Sequence, residues 1–201
     1  MDSAQQGRFP ASVRWGALLW LLIWVPAYWN AWGATNFLRF CDIAAFLTCA
    51  GFLFESSFLL SSQAVAALVV DLTWTLDVAW KVIFGHYLIG GTEYMFDPQY
   101  PLWVRLLSLF HVAMPILLLW AVRRNGYDRR GLLLQSAIAV AVFIASRFTD
   151  PALNMNYAFT DPFFHRQWGP APVHLLAIFA STVVVVYLPT DLFLRRFARQ
   201  T

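Results

Sequence analysis

Charged residues are scarce in this chain: they make up 12% of its 201 residues, whereas hydrophobic residues make up 60%. The mean hydropathy is +0.58. A soluble domain averages about 25% charged residues, and a chain with ten Trp and eighteen Phe as well has too little charge to cover a water-facing globule. The composition therefore excludes an ordinary soluble domain and predicts a single domain embedded in lipid.

Cysteine is equally rare, since Cys41 and Cys49 are the only two. They lie eight residues apart on one predicted helix, which corresponds to roughly 12 Å at a rise of 1.5 Å per residue. That separation excludes a disulfide between them. The cysteines accordingly say little about the redox compartment.

Several motifs are missing from the sequence: it has no phosphate-binding loop, no dinucleotide fingerprint, no zinc-finger spacing, no solenoid repeat and no low-complexity tract. The sequence therefore predicts no cofactor. A net charge of +3 does not indicate nucleic acid, because the basic residues sit in separate clusters at the ends of apolar runs. No small-residue cleavage site follows the first apolar run, so the first helix is expected to remain as a signal anchor.

The sequence consists mainly of six continuous apolar runs. Each is close to the length of about 20 residues that a helix needs to cross a bilayer. Continuous rather than alternating runs favour helices over a membrane barrel. The predicted fold is an all-α integral membrane protein, a bundle of about six transmembrane helices. A short polar segment over 1–14 precedes a single domain over 15–201. The helices are predicted near 15–33, 37–54, 58–84, 101–122, 131–148 and 171–194.

Basic residues mark one side of the predicted bundle. They cluster near the N-terminus, between the fourth and fifth helices and at the C-terminus, and the positive-inside rule makes that side cytoplasmic. Both termini are thus predicted to be cytoplasmic, in a bacterial inner membrane. Membrane lipids are the predicted partners, with other membrane subunits as further candidates and no nucleic acid. The clustered residues are Arg8, Arg14, Arg123, Arg124, Arg129, Arg130, Arg195, Arg196 and Arg199.

Ionisable residues inside the apolar runs are functional candidates, because they are expensive in a bilayer. Arg39 and Asp42 stand three apart on the second predicted helix, and Asp77 and Lys81 stand four apart on the third. Each couple can therefore pair on one helix face. For each couple a neutralised structural ion pair, packed between helices, is the favoured interpretation, and a functional site is the alternative.

Asp71 has no basic residue three or four positions away, and His111 on the fourth helix falls at a similar depth, one turn from Ser108. A buried Asp–His contact orients an imidazole and raises its basicity, so such a contact is predicted; a core histidine bonded to a neighbouring hydroxyl is the alternative. Cys41 lies one to two turns into the second helix. It is either a small buried hydrophobe or, if His111 reaches it, a nucleophile.

The predicted outer segments, 85–100 and 149–170, are rich in aromatic residues, which suits a belt at the membrane interface. Their histidines and carboxylates are predicted to form a hydrated, hydrogen-bonded cap over the bundle. No pair among them shows the i, i+4 spacing of a helical metal site such as HExxH, so no metal is predicted. The predicted cap consists of His86, Glu93, Asp150, His165 and His174.

Two short sequence segments resemble those of a known protein family, and two dipeptides follow them in a later loop. Their order over residues 36–175 resembles a group of six-helix membrane proteins. The group comprises the androgen-induced-gene-type intramembrane lipid hydrolases, the related transmembrane phospholipid acyltransferase and bacterial integral membrane proteins. The segments are Asn36-Phe37-Leu38-Arg39-Phe40-Cys41-Asp42 and Phe110-His111-Val112-Ala113-Met114-Pro115, and the dipeptides are Asn156-Tyr157 and Gly169-Pro170.

The resemblance implies a nucleophile on the second helix and a catalytic histidine on the fourth, acting on fatty-acyl esters inside the bilayer. The hydrolase branch carries Thr where this chain has Arg39, which cannot be a nucleophile. The acyltransferase branch carries Cys at the position of Cys41. The resemblance therefore favours a thiol mechanism in which Cys41 is the nucleophile and His111 is the general base.

The supporting residues of this hypothesis are Asp71 or Asp77 as the group that orients the imidazole, and Arg39 or Ser108 as donors to the oxyanion. Two other classes of function stay open. One is a non-catalytic accessory subunit of a membrane complex, which short termini and many aromatics suit. The other is a carrier of protons or a small solute through the region of Asp71, Asp77, Lys81 and His111, although no inverted repeat is evident.

Overall fold

The computed structural model describes residues 9–200, and every regular element in that range is helical. The prediction of an all-α chain is confirmed, and six main helices are present in the described range. α4 passes through a 3₁₀ turn at Leu107–Leu109, and α6 passes through a π-helical segment at Val183–Tyr187. The helices are α1 (Ala11–Trp32), α2 (Phe40–Leu53), α3 (Ser57–Phe84), α4 (Leu102–Asn125), α5 (Gly131–Ser146) and α6 (Ala171–Phe197).

Four of these helices, α1, α3, α4 and α6, are long and apolar enough to cross a membrane. α2 and α5 are apolar but shorter, with 14 and 16 residues. At 1.5 Å per residue, α2 spans about 21 Å, which is less than a hydrocarbon core of about 30 Å. A 3₁₀ turn at Ala34–Leu38 precedes α2.

The ends of the helices differ from the predicted ends by a few residues. α1 begins at Ala11, directly after Pro10, so the predicted polar segment over 1–14 is already helical in its last residues; Arg8 lies outside the described residues. α2 begins three residues later than predicted, because the 3₁₀ turn occupies its predicted start. α4 and α6 extend past their apolar runs into arginines, which interact favourably with the partial negative charge of a helix C-terminus. α5 instead ends at Ser146.

α3 is the central helix of the bundle. More than half of its apolar span is buried (56%), whereas only 11% of the span in α6 is buried. α3 packs against α2, α4 and α5, and α1 packs on α2. Small buried side chains on α3, including Ala64 and Ala67, let these neighbours approach closely.

Gly131 marks a close approach of α5 to α3. A β-carbon at this position would lie 2.8 Å from both the carbonyl carbon of Ser61 and the backbone nitrogen of Ser62. Gly131→Ala must therefore separate the two helices, and we expect it to lower the free energy of unfolding by about 1–3 kcal/mol. Thermal unfolding in detergent measures this change.

The matched control for this substitution is Gly16→Ala on α1. A β-carbon there meets no other atom within 4 Å, and Ala has a higher helix propensity than Gly. Gly16→Ala should therefore be neutral or slightly stabilising. An unfolding temperature that falls equally in both variants would contradict the close approach of α3 and α5.

The connections lie in two groups at opposite ends of the bundle. At the basic end, Arg14 at the start of α1 forms an ion pair with Glu55 between α2 and α3 (3.0 Å), and the Tyr127 hydroxyl donates to Asp191 of α6 (2.6 Å). The connections 33–39, 85–101 and 147–170 lie at the opposite end of the bundle. This end is called the site end. The consecutive helices thus run alternately up and down.

Candidate functional site

A cavity of about 460 Å³ lies at the site end of the bundle. Cys41 and Asp42 from the start of α2 line it together with His111 from α4. Trp74 of α3 and residues of the α3–α4 connection complete the wall. The volume falls within the range of about 300–1,000 Å³ that is usual for small-molecule sites. The two side chains predicted to be the nucleophile and the base therefore share one cavity.

The imidazole of His111 is held in a defined orientation. Its Nδ1 lies 2.8 Å from the carbonyl oxygen of Ser108, one turn earlier in α4. A carbonyl oxygen only accepts hydrogen bonds, so Nδ1 carries the proton and Nε2 is left as an acceptor. The rings of Trp74 and Phe110 stack against the imidazole, with centroids 4.4 Å and 4.0 Å away. These contacts leave the ring little freedom to rotate.

The predicted contact between Asp71 and His111 is absent from the hydrogen bonds of the described residues. Asp71 is fully buried in α3, and neither of its carboxyl oxygens has a hydrogen-bond partner in the range 9–200. The imidazole is oriented by the backbone of Ser108 instead. Ser108 lies in the 3₁₀ turn of α4, which ends two residues before His111, so this carbonyl is within reach of the ring. The Ser108 hydroxyl is used elsewhere, in a short hydrogen bond with the Tyr28 hydroxyl.

Arg39 and Asp42 are linked through a third residue and do not form a direct ion pair among the described residues. Nε of Arg39 donates to Oδ1 of Asn36 (3.0 Å), and Nδ2 of Asn36 donates to Oδ2 of Asp42 (2.7 Å). The Cys41 thiol lies 3.7 Å from the other oxygen of Asp42. The side chains therefore form a chain from the guanidinium to the thiol. Sequence spacing missed Asn36 because it lies in the turn before the helix.

The predicted pairing of Asp77 with Lys81 is wrong. The Asp77 carboxylate accepts three backbone N–H groups of the α3–α4 connection at 2.7–3.1 Å, and also the Thr92 hydroxyl. Lys81 donates instead to the carbonyl oxygen of Gly85 (2.6 Å). The chain folds back over the end of α3, which brings these amides to the carboxylate. Asp77 therefore shapes the connection whose Gly91 and Glu93 line the cavity.

The five residues predicted to form an outer cap lie at separate places in the structure. Glu93 lines the cavity, whereas His86 accepts from the indole of Trp80 on the exposed surface (3.2 Å). Asp150 binds the nearby amide of Ala152 (2.9 Å), and His165 is exposed. Within residues 9–200, no three His, Cys, Asp or Glu side chains are grouped so as to hold a metal.

His174, the fifth predicted cap residue, is completely buried at the start of α6. Its Nδ1 accepts from the backbone N–H of Trp168 (3.2 Å), and its Nε2 donates to the carbonyl oxygen of Tyr157 (3.0 Å). Both ring nitrogens are therefore occupied in holding the connection 147–170. His174 has a structural role in this geometry and does not line the cavity.

Asn156 supports the start of α2, and sequence reasoning noticed it only as part of the Asn-Tyr dipeptide. Its Oδ1 accepts the backbone N–H of Phe40 (3.1 Å), and its Nδ2 donates to the carbonyl oxygen of Leu38 (2.8 Å) and to the Ser146 hydroxyl (2.9 Å). Its backbone is left-handed, with φ of 51°. Asn156 therefore fixes the backbone immediately before Cys41.

Asp161 was not predicted, and it organises the same connection from its other side. Its carboxylate accepts the amides of Phe163, Phe164 and Arg166 and the indole N–H of Trp168, at 2.6–3.2 Å. Desolvation acts to raise the pKa of the Asp161 carboxyl, but the amide hydrogen bonds outweigh it and hold the pKa below its ordinary value. No spacing rule identifies such a residue, because its partners are the loop's own amides.

An apolar groove of about 500 Å³ runs between α1, α2 and α4. Gly16 and Trp20 line it from α1, Cys49 from α2, and Met114 and Phe110 from α4. Phe110 also stacks on His111, so this one ring contacts both the groove and the wall of the cavity. Most of the residues that line the groove are apolar.

The site thus contains a thiol, an imidazole whose Nε2 is an acceptor, and a guanidinium, next to an apolar groove. A thiol and an imidazole in one cavity are the groups that nucleophilic acyl transfer uses. No family model, curated protein or solved structure matches this chain.

Proposed function

We propose that this protein is an integral membrane enzyme that hydrolyses or transfers the acyl group of fatty-acyl lipid esters. Cys41 is the nucleophile and His111 the general base. The observation that carries the proposal is that both side chains line one cavity, with Nδ1 of His111 bonded to the Ser108 carbonyl so that Nε2 is an acceptor. The resemblance of residues 36–42 and 110–115 to six-helix lipid hydrolases and acyltransferases points to the same two residues.

The proposal places all six helices in the membrane, with both termini in the cytoplasm of a bacterium. The four long apolar helices support membrane insertion, and the arginines of the basic end support the orientation through the positive-inside rule. In this placement the site end faces outward, and its cavity lies near the level of the lipid headgroups. A lipid then reaches the site laterally from the bilayer.

The proposed reaction begins when Nε2 of His111 takes the thiol proton of Cys41. The thiolate attacks the ester carbonyl carbon, a carbon–sulfur bond forms, and the carbonyl electron pair moves onto oxygen. The guanidinium of Arg39, which lines the same cavity, stabilises this oxyanion. When the intermediate collapses, the ester carbon–oxygen bond breaks and the alcohol leaves with the proton from His111. Water or an acceptor hydroxyl then cleaves the thioester and regenerates the thiol.

The apolar groove between α1, α2 and α4 is the proposed place of the acyl chain. It adjoins the reactive groups through Phe110, whose ring contacts both the groove and His111. Burial of each CH₂ group contributes about 0.8 kcal/mol relative to water, but relative to lipid the gain is small. The groove therefore orients the chain more than it adds affinity.

The test of the proposal is covalent labelling of the purified protein, in detergent, by a long-chain alkyl probe with a thiol-reactive group. We expect labelling of the wild type, complete loss in Cys41→Ala and at least a tenfold slower reaction in His111→Ala, because the base then no longer generates the thiolate.

Cys49→Ala is the matched control, since Cys49 is the chain's second thiol and lines the groove instead of the cavity. It should label at the wild-type rate. Labelling that is absent throughout, or unaffected by His111→Ala, would contradict the proposal. A stoichiometric membrane partner that co-purifies with both variants would then favour the accessory subunit.

A further inference from the structure

Three aromatic side chains line the cavity, and one of them contacts the other two. Trp32, the last residue of α1, contacts Tyr94 with ring centroids 5.6 Å apart and planes at 81°, and it contacts Tyr100 at 4.9 Å and 45°. All three are half-buried and all three line the cavity. Rings set at such angles form a corner with more than one aromatic face.

Two carboxylates line the same cavity without a cationic partner. Glu93 and Asp97 form no ion pair with any side chain in the part of the chain that the structure describes. One oxygen of each accepts a nearby backbone amide, that of Gly91 (3.0 Å) or Gln99 (2.9 Å). Among residues 9–200, no backbone amide is bonded to the second oxygen of either carboxylate. Arg39 also lines the cavity, and its Nε donates to Asn36. The three rings and the two carboxylates therefore give the cavity wall an aromatic and negatively charged part.

We propose that Trp32, Tyr94 and Tyr100, together with Glu93 and Asp97, form a binding site for an ammonium group, primary or quaternary. The negative faces of aromatic rings attract such cations, and partial desolvation strengthens the attraction. The carboxylates supply the opposite charge, and that of half-buried Asp97 is screened less than a charge on an open surface. The inference concerns recognition, so it holds whether or not Cys41 reacts.

Two sources supply an ammonium group at this position. One is the headgroup of a zwitterionic phospholipid, which the level of the site end in the proposed membrane placement favours. The other is a free amine such as choline or ethanolamine. Both ligands present the same ammonium group to the site. The experiment therefore has one arm for the lipid and one for the free amine.

The first arm measures lipid retention by native mass spectrometry of the protein released from mixed micelles. The micelles contain equal amounts of phosphatidylethanolamine, phosphatidylcholine and phosphatidylglycerol, of which the last has no ammonium group. We expect the ammonium lipids to be retained preferentially. Tyr100→Ala and Glu93→Gln should each reduce that preference by about 3–30-fold, the range of one cation–π or charge contact.

The second arm titrates choline and ethanolamine into the protein by calorimetry. Binding that the same variants weaken, without a lipid preference, would support the site and assign it to a free amine. Trp103→Ala is the matched aromatic control, because Trp103 is exposed on α4 and does not line the cavity. Glu93→Gln conserves shape, and thermal unfolding verifies that each variant is folded.

Equal retention of all three lipids together with no binding of either amine would overturn the inference. So would a preference that folded Tyr100→Ala and Glu93→Gln both preserve. Cys41→Ala is measured in parallel and should retain the ammonium preference of the wild type. This variant separates the two proposals, since a failure of acyl transfer leaves retention unchanged and a failure of retention leaves thiol labelling unchanged.

Discussion

His111→Ala is expected to slow the release of fatty acid from a lipid ester by about 10²–10⁴-fold, the usual contribution of a general base. The thiol remains in place in this variant, but the base whose Nε2 is oriented by the bond of Nδ1 to the Ser108 carbonyl is removed. The rate is measured on purified protein in mixed micelles at saturating lipid.

The space left by the imidazole provides a second readout. It lies against the rings of Trp74 and Phe110, and added imidazole should partly restore the rate of His111→Ala. His86→Ala is the control, because His86 is exposed and bonds to Trp80 outside the cavity. An equal loss of rate in the two variants, or no loss in His111→Ala, would remove His111 from the mechanism.

Asp77→Val is expected to lower the free energy of unfolding by about 2–4 kcal/mol, because hydrogen bonds to a charged group contribute about 1.5–3 kcal/mol each and water replaces only some of them. The Asp77 carboxylate holds the amides of Leu88, Ile89 and Gly90 and the Thr92 hydroxyl. Their release also loosens the connection 85–101 that walls the cavity.

Asp71→Val, two turns earlier on the same helix, should change stability in the opposite direction. Its buried carboxyl has no hydrogen-bond partner among residues 9–200, and an unsatisfied buried polar group costs about 1–3 kcal/mol. A valine there should raise the unfolding free energy by up to about that amount. Chemical or thermal unfolding of both variants in detergent is the measurement, and a shift of both in the same direction would refute this assignment of partners.

The two aspartates illustrate where sequence reasoning was insufficient. Spacing along a helix correctly places Asp77 and Lys81 on one face, but it cannot account for a connection that folds back and presents its own amides. Asp71 and His111 were predicted from depth to be partners, and the nearer carbonyl of Ser108 binds the imidazole instead. Backbone groups carry no sequence signal, so they are the partners that pattern analysis misses.

Cys41 and His111 show the opposite case. Their depths, from counting residues along two apolar runs, made a shared site possible, and both line one cavity. Rotation of each helix about its axis decides whether two side chains at equal depth face each other. That rotation depends on how α2 and α4 pack against α3.

By itself, the sequence determined that the chain is helical, that it has six main helices and, to within a few residues, where most of them begin and end. Those properties follow from local hydropathy and from turn and capping residues, which act over a few positions. Only the tertiary structure decided that Asn36 joins Arg39 to Asp42 and that Asn156 holds the start of α2. These contacts join connections to helix ends across the bundle. The partners of such side chains depend on how each helix is rotated and on the path of each loop, and no local sequence pattern contains that information.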